Sequence, residues 1–122
     1  MTQEDKNLLL KDLCARLSYG VKINIKSDYT REMEDTELTS YHLDGLGYNA
    51  EYRNLRPYLR PMFSMTKKEE EEYELLIDCS DYTYFKTSDK VIDWLNEHHF
   101  DYRGLIKRGL ALEAPEGMYK TE

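Results

Sequence analysis

The sequence predicts a small α+β domain: an N-terminal helix, an antiparallel sheet of three or four strands, SH3-like if it curls, and C-terminal helices. Three observations carry this. Apolar residues recur at helical spacing between Leu9 and Leu17. Val21, Ile23 and Ile25 alternate strictly with Lys22, Asn24 and Lys26, as on a half-buried strand. Turn signals recur about every ten residues between 18 and 55, a spacing that favours short strands over βαβ units.

Thr2 is placed to N-cap the first helix, with Glu4 and Asp5 near the positive end of its dipole. Leu9, Leu10, Leu13, Cys14 and Leu17 form its apolar stripe, and Gly20 supplies a left-handed stop. The alternating strand follows. Residues 27–35 are polar and read as loop. Further extended segments are expected at 36–43 and 46–53, separated by the Asp44-Gly45 turn signal. Pro57 and Pro61 mark a rigid connector between sheet and helix. Thr66 and Glu69 then have the spacing of a capping box for a helix running to Ile77. Its apolar side is Met65, Tyr73, Leu76 and Ile77, and Glu69–Glu72 read as a solvated acidic face. A Tyr-rich extended piece is expected at 82–86, then a helix at 89–98 capped by Ser88, with Val91, Ile92, Trp94 and Leu95 inward. Tyr102–Arg108 reads as one or two helical turns ending at Gly109, before an extended Leu110–Leu112. Residues 1–115 are expected to form one domain and 116–122 a mobile tail.

The totals bound the function. A chain of 122 residues buries roughly two-thirds of its unfolded surface, enough to fold without metal or disulfide. With 24 acidic and 17 basic side chains the net charge is −7, which argues against a surface devoted to phosphates. Two cysteines, Cys14 and Cys79, imply no disulfide framework. The N-terminus has no run of signal-peptide type, and nothing approaches the roughly 18 apolar residues of a membrane span. The expectation is a cytoplasmic protein with no membrane association.

Three constellations carry polar chemistry. Glu97, His98, His99 and Asp101 are metal-ligand types, but adjacent histidines on a helix point about 100° apart, so one cation takes both only if the helix unwinds locally. No metal or cofactor is expected. Arg53, Arg56 and Arg60, with Tyr52 and Tyr58, form the one basic-aromatic cluster, suited to phosphate or a base; in an acidic chain they more naturally pair with the acids at 69–74. Asp101, Tyr102 and Arg103 resemble a small polar site, yet Asp101 is placed to cap a turn and Arg103 to bridge to an acid. The candidate binding residues are therefore Arg53, Arg56, Tyr58, Arg60, His98, His99, Asp101 and Arg103, with no catalytic residue assigned. GxSxG, GxxxxGK[ST], GxGxxG and HExxH patterns are all absent.

The segment from Ile92, IDWLNEHHFDYRGLIKRGLALEAPEGMY, resembles the C-terminal signature of a group of small uncharacterised proteins of gut Bacteroides-type genomes, often in prophages or other mobile elements. The resemblance extends to LCARLSYGVKI (13–23) and RPYLRPMFSMT (56–66), is thinnest at 27–50 and 77–90, and brings no activity with it. It implies a bacterial interaction or regulatory protein of a mobile element, non-catalytic, with a protein partner. The alternatives are a nucleic-acid accessory using Arg53–Arg60, with weak binding at most, and a small-molecule binder or minor enzyme around His98, His99 and Asp101.

Overall fold

The computed structural model describes residues 2–27, 30–48, 54–80 and 84–119. Helix α1 (Gln3–Arg16) opens with a reciprocal capping box: Thr2 Oγ1 accepts from the Asp5 amide at 3.0 Å, and the Asp5 carboxylate accepts from the Thr2 amide. A 3-10 turn (Leu17–Tyr19) leads to Gly20, whose φ of 70° is the left-handed stop the sequence predicts. Leu9 and Leu13 are fully buried against the sheet. Cys14, placed on the apolar stripe by spacing, is exposed instead. The reason is that Asp12 and Arg16 take the buried face, so the inward stripe runs 9, 12, 13, 16.

Strand β1 (Lys22–Lys26) forms as expected, burying Val21, Ile23 and Ile25 on one face. Its neighbour is not where apolar alternation puts it. Strand β2 (Met33–Glu37) lies in the segment expected as loop, pairs antiparallel with β1 and is exposed at every residue. Backbone pairing and an Asp35 network hold it, so hydrophobic periodicity gives no sign of it. The two extended segments expected at 36–43 and 46–53 give way to helix α2 (Ser40–Tyr48); residues 49–53 lie outside the described residues. Thr39 caps α2, its amide donating to His42 Nδ1 at 3.0 Å, while Leu38 and His42 are buried. This cap and burial outweigh the cost of glycine within a helix, about 1 kcal/mol.

Strand β3 (Arg56–Leu59) carries Pro57 in an interior strand, where the sequence suggests a connector. Pairing with β4 begins at Tyr58, past the proline that lacks a donor. Helix α3 (Lys67–Ser80) has the predicted capping box: the Thr66 amide donates to Glu69 at 2.9 Å and the Glu69 amide to Thr66 Oγ1 at 3.2 Å. Helix α4 (Tyr84–Glu97) starts before the expected Ser88, replacing the extended piece from residue 84; residues 82 and 83 lie outside the described residues. The Tyr102–Arg108 stretch forms turns, closed at Gly109 by Leu110 and Gly109 amides donating to the Leu105 and Ile106 carbonyls.

Strand β4 (Leu112–Glu113) completes an open sheet of order β2-β1-β3-β4. The sheet is mixed: β2, β1 and β3 run antiparallel, but β4 lies parallel to β3. A parallel return requires a long crossover, and the α3–α4 hairpin is that crossover. The core between sheet, α1 and the C-terminal segment is Leu9, Leu13, Val21, Ile23, Ile25, Leu38, Leu55, Leu59, Leu105, Leu110 and Ala111. Trp94 is not part of this cluster. It lies in a second, aromatic layer, stacked on Tyr73 and Phe100.

Candidate functional site

Of the predicted site residues, Arg60, His98, His99 and Asp101 come together at the end of α4, where the strand-like Phe100 lies beside Arg60. Amides of His99 and Phe100 donate to the Asn96 and Leu95 carbonyls, the paired bonds of a Schellman stop. His99 takes the left-handed position at φ 64°, a conformation His tolerates better than most residues. The chain then bridges Arg60: the Arg60 amide donates to the His99 carbonyl at 2.7 Å, and the Asp101 amide to the Arg60 carbonyl at 2.8 Å.

That reversal sends the two histidines to different neighbours. His98 stays on the α3 side, its ring 4.3 Å from Trp94 and Nδ1 3.3 Å from Glu69. His99 turns the other way and stacks on Tyr119 at 3.8 Å. Burial first, then the nearby Arg16 and Arg60 charges, lower the His99 pKa to about 4, so the ring is neutral at neutral pH. Among the described residues no group of three or more His, Cys, Asp or Glu gathers as a metal site.

Two buried ion-pair networks flank Phe100. In the first, Arg60 holds both oxygens of Glu69 at 2.7 and 2.8 Å, and its guanidinium lies 4.2 Å from the Phe100 ring. Glu69 is therefore buried, where the sequence suggested a solvated face; Glu70 and Glu71 are exposed as expected. Burial pushes the Glu69 carboxyl up, but Arg60 and the Thr66 hydrogen bonds outweigh it, leaving the pKa at about 2. In the second network Asp12 bonds Arg16 and Arg103, each at 2.8 Å, and Arg16 Nη2 donates to the Phe100 carbonyl at 2.6 Å. Asp12 and Arg16 are fully buried. Asp101 accepts from the Leu105 and Ile106 amides, so it caps and Arg103 bridges.

Arg56 is exposed on β3, opposite Asn24; Arg53 lies outside the described residues. Tyr58 donates to Asp35 at 2.7 Å, beside an Asn24 donor at 2.9 Å. The Asn24 bond and then the Tyr58 bond lower the Asp35 pKa. The Arg53–Arg60 segment is thus not one basic surface: Arg60 is spent internally and Tyr58 is tied to β2.

Sequence reasoning missed Asp12, Arg16 and Tyr119. Asp12 and Arg16 carry a legible signal, opposite charges four apart on a helix. Tyr119, in the segment expected as tail, is half-buried; its hydroxyl accepts from the Lys22 amide and donates to the Tyr58 carbonyl, both at 2.8 Å. Lys22 and Tyr58 are the next rung after the paired Asn24–Arg56 and Ile23–Pro57, so the phenol bridges a rung of the β1–β3 ladder. Beside Tyr119 a cavity of about 370 Å³ opens between Arg60–Thr66 and Glu113–Gly117.

No family model, no curated protein and no solved structure matches this chain. No helix among the described residues is long and apolar enough to cross a membrane.

Proposed function

We propose that the protein is a non-catalytic binding module of the cytoplasm that pairs its outer strand β2 with an extended, basic segment of a partner protein. The observation that carries this is the position and composition of β2: an edge strand, exposed at every residue, bearing Glu34, Asp35 and Glu37 with Glu32 just before it. A free edge offers main-chain donors and acceptors to an added strand, and alternate side chains then set specificity. The acids repel a second copy of the same edge and attract Lys and Arg, as the overall charge of −7 does at longer range. Exposed Met33 and Tyr41 add apolar and aromatic area at that end of the sheet. The polar groups with catalytic potential argue in the same direction, since Glu69, Arg60, Asp12 and Asp101 are committed to internal bonds.

The test is selection from a randomised peptide display library, followed by amide exchange of the complex. Basic, strand-forming peptides are expected, with protection rising at residues 33–37 and binding lost in Glu32→Lys/Glu34→Lys. Protection confined to another surface, or selection of acidic or helical peptides, overturns the proposal. Tight, sequence-dependent binding to nucleic acid would instead favour the exposed Arg56 end of β3.

A further inference from the structure

We propose that the cavity beside Tyr119 is a binding site for an organic cation, an ammonium or guanidinium on a short aliphatic stem. It lies across the sheet from β2, beside β4, and does not depend on the edge-strand proposal. Its volume of about 370 Å³ is in the range of small-ligand pockets.

The charge of the ligand follows from which groups are free. Arg60 is the one base among the described residues that line the cavity, and it looks at first like an anion site. Its guanidinium is already occupied: Nη1 donates to Glu69 and to the His98 carbonyl, and Nη2 to the other Glu69 oxygen. A bidentate, buried pair of this kind is charge-neutral and has few donors left to offer. An anion would have to compete with Glu69 for donors already in short bonds.

Two carboxylates line the same cavity in the opposite state. Among the described residues neither Glu113 nor Glu116 has a side-chain hydrogen-bond or ion-pair partner, and both are exposed at the rim. Once Arg60 and Glu69 cancel, the described lining residues carry two uncompensated negative charges. Glu113 is held in place by its backbone, paired with Leu59 in the β4 ladder, and the Ala114 amide donates to the Leu59 carbonyl. Pro61 and Pro115 supply rigid apolar wall for an alkyl stem, and Tyr119 is fixed by its two hydroxyl bonds. The site is therefore anchored on both sides before a ligand arrives, which limits the ordering cost of binding. A free amine and the side chain of a lysine or arginine share this chemistry.

The experiment is an amide chemical-shift titration of the full chain with n-butylammonium and n-butylguanidinium chloride. 1-Pentanol is the neutral control and valerate the anionic one, at matched ionic strength. The cations are expected to move the amides of residues 60–66 and 113–119 saturably. Each carboxylate removed, in Glu113→Gln and Glu116→Gln, should weaken binding roughly threefold, the scale of a partly exposed ion pair. The unperturbed remainder of the spectrum reports that both variants fold. Comparable shifts with 1-pentanol would make the cavity merely apolar, and shifts with valerate would make it an Arg60 anion site. Shifts spread over the acidic surface and insensitive to the two substitutions, or no shifts at residues 60–66 and 113–119, also overturn the proposal. A lysine-containing N-acetyl amide peptide run beside the free amine separates a small-molecule site from a pocket for a partner's side chain; binding of either sustains the cation class, and the tighter one identifies the source.

Discussion

The two ion-pair networks on either side of Phe100 use the same groups and differ in their access to water. Asp12 and Arg16 are wholly buried, and Arg16 Nη1 has no hydrogen-bond partner among the described residues. Arg60 and Glu69 retain a little exposure, 11% and 4% of their side chains, and every oxygen of Glu69 is met by a donor. The first network ties α1 to the C-terminal segment through Arg103 and the Phe100 carbonyl; the second ties α3 to β3 and to the end of α4. Together they fix the Phe100 segment between two halves of the fold. Burial of charge is costly in both cases, so these pairs serve to specify one arrangement more than to add stability.

The largest expected effect separates the two. Asp12→Ala leaves the wholly buried Arg16 without its carboxylate and facing Arg103, and removing one partner of a buried pair costs about 3–5 kcal/mol. Glu69→Ala also frees a buried arginine, but water reaches Arg60 more readily and the Phe100 ring still lies beneath it. That loss should be smaller, about 2–3 kcal/mol, the upper range for a charged hydrogen-bonded group left unmet. Urea unfolding of both variants checks the ranking. Equal losses would show that residual exposure does not distinguish the networks.

Much of this arrangement was legible in the sequence, and the failures at β2 and Glu69 share one physical cause. The caps at Thr2 and Thr66, the β1 alternation, the Gly20 and Gly109 stops and the Asp101 cap are local chemistry, set by residues within one or two turns. Arg60 pairing with an acid of the 69–74 run was likewise expected, because a short connector keeps the two close. What could not be read at these two places was set by partners distant in the chain. β2 has no apolar alternation and exists as the neighbour of β1. Glu69 looked solvated among its acidic neighbours because Arg60, Phe100 and His98 meet only in the fold. The Asp12–Arg16 spacing is legible, but the third member, Arg103, closes on Asp12 only in the fold.

Acid acts on His99 and on Glu69 in different windows. His99 has a folded pKa of about 4, below its ordinary 6.5, so the unfolded chain takes up this proton first. Stability is then full above pH 6.5 and falls as pH drops from 6.5 towards 4, at no more than about 1.4 kcal/mol per pH unit for one proton. Glu69 acts in a lower window. Its folded pKa of about 2 lies below the ordinary 4.5, so the stability it contributes is lost as pH falls from 4.5 towards 2. His99→Asn keeps a residue that tolerates the left-handed backbone and should flatten the upper window while leaving the lower one. Glu69→Gln should do the reverse. Thermal midpoints measured across pH 3–7 decide the matter, and a single window removed by both substitutions would mean that the two groups titrate as one unit.

The smallest effect is expected where the C-terminal segment meets the sheet. Tyr119 contributes a ring to His99 and a hydroxyl to the β1–β3 ladder, and Tyr119→Phe removes only the second. The Lys22 amide and the Tyr58 carbonyl lose their shared partner, at a cost of about 1–2 kcal/mol if both groups stay apart. They need not stay apart, because they are the next rung of an antiparallel register already formed at Ile23–Pro57. If the strands close, the direct bond replaces the bridge and stability changes little. Exchange of the Lys22 amide distinguishes the two cases. Fast exchange with a measurable stability loss means that the phenol props the rung open and seals it at once. Retained protection with unchanged stability means that the ladder can close by itself, and that Tyr119 is held mainly by its stack on His99.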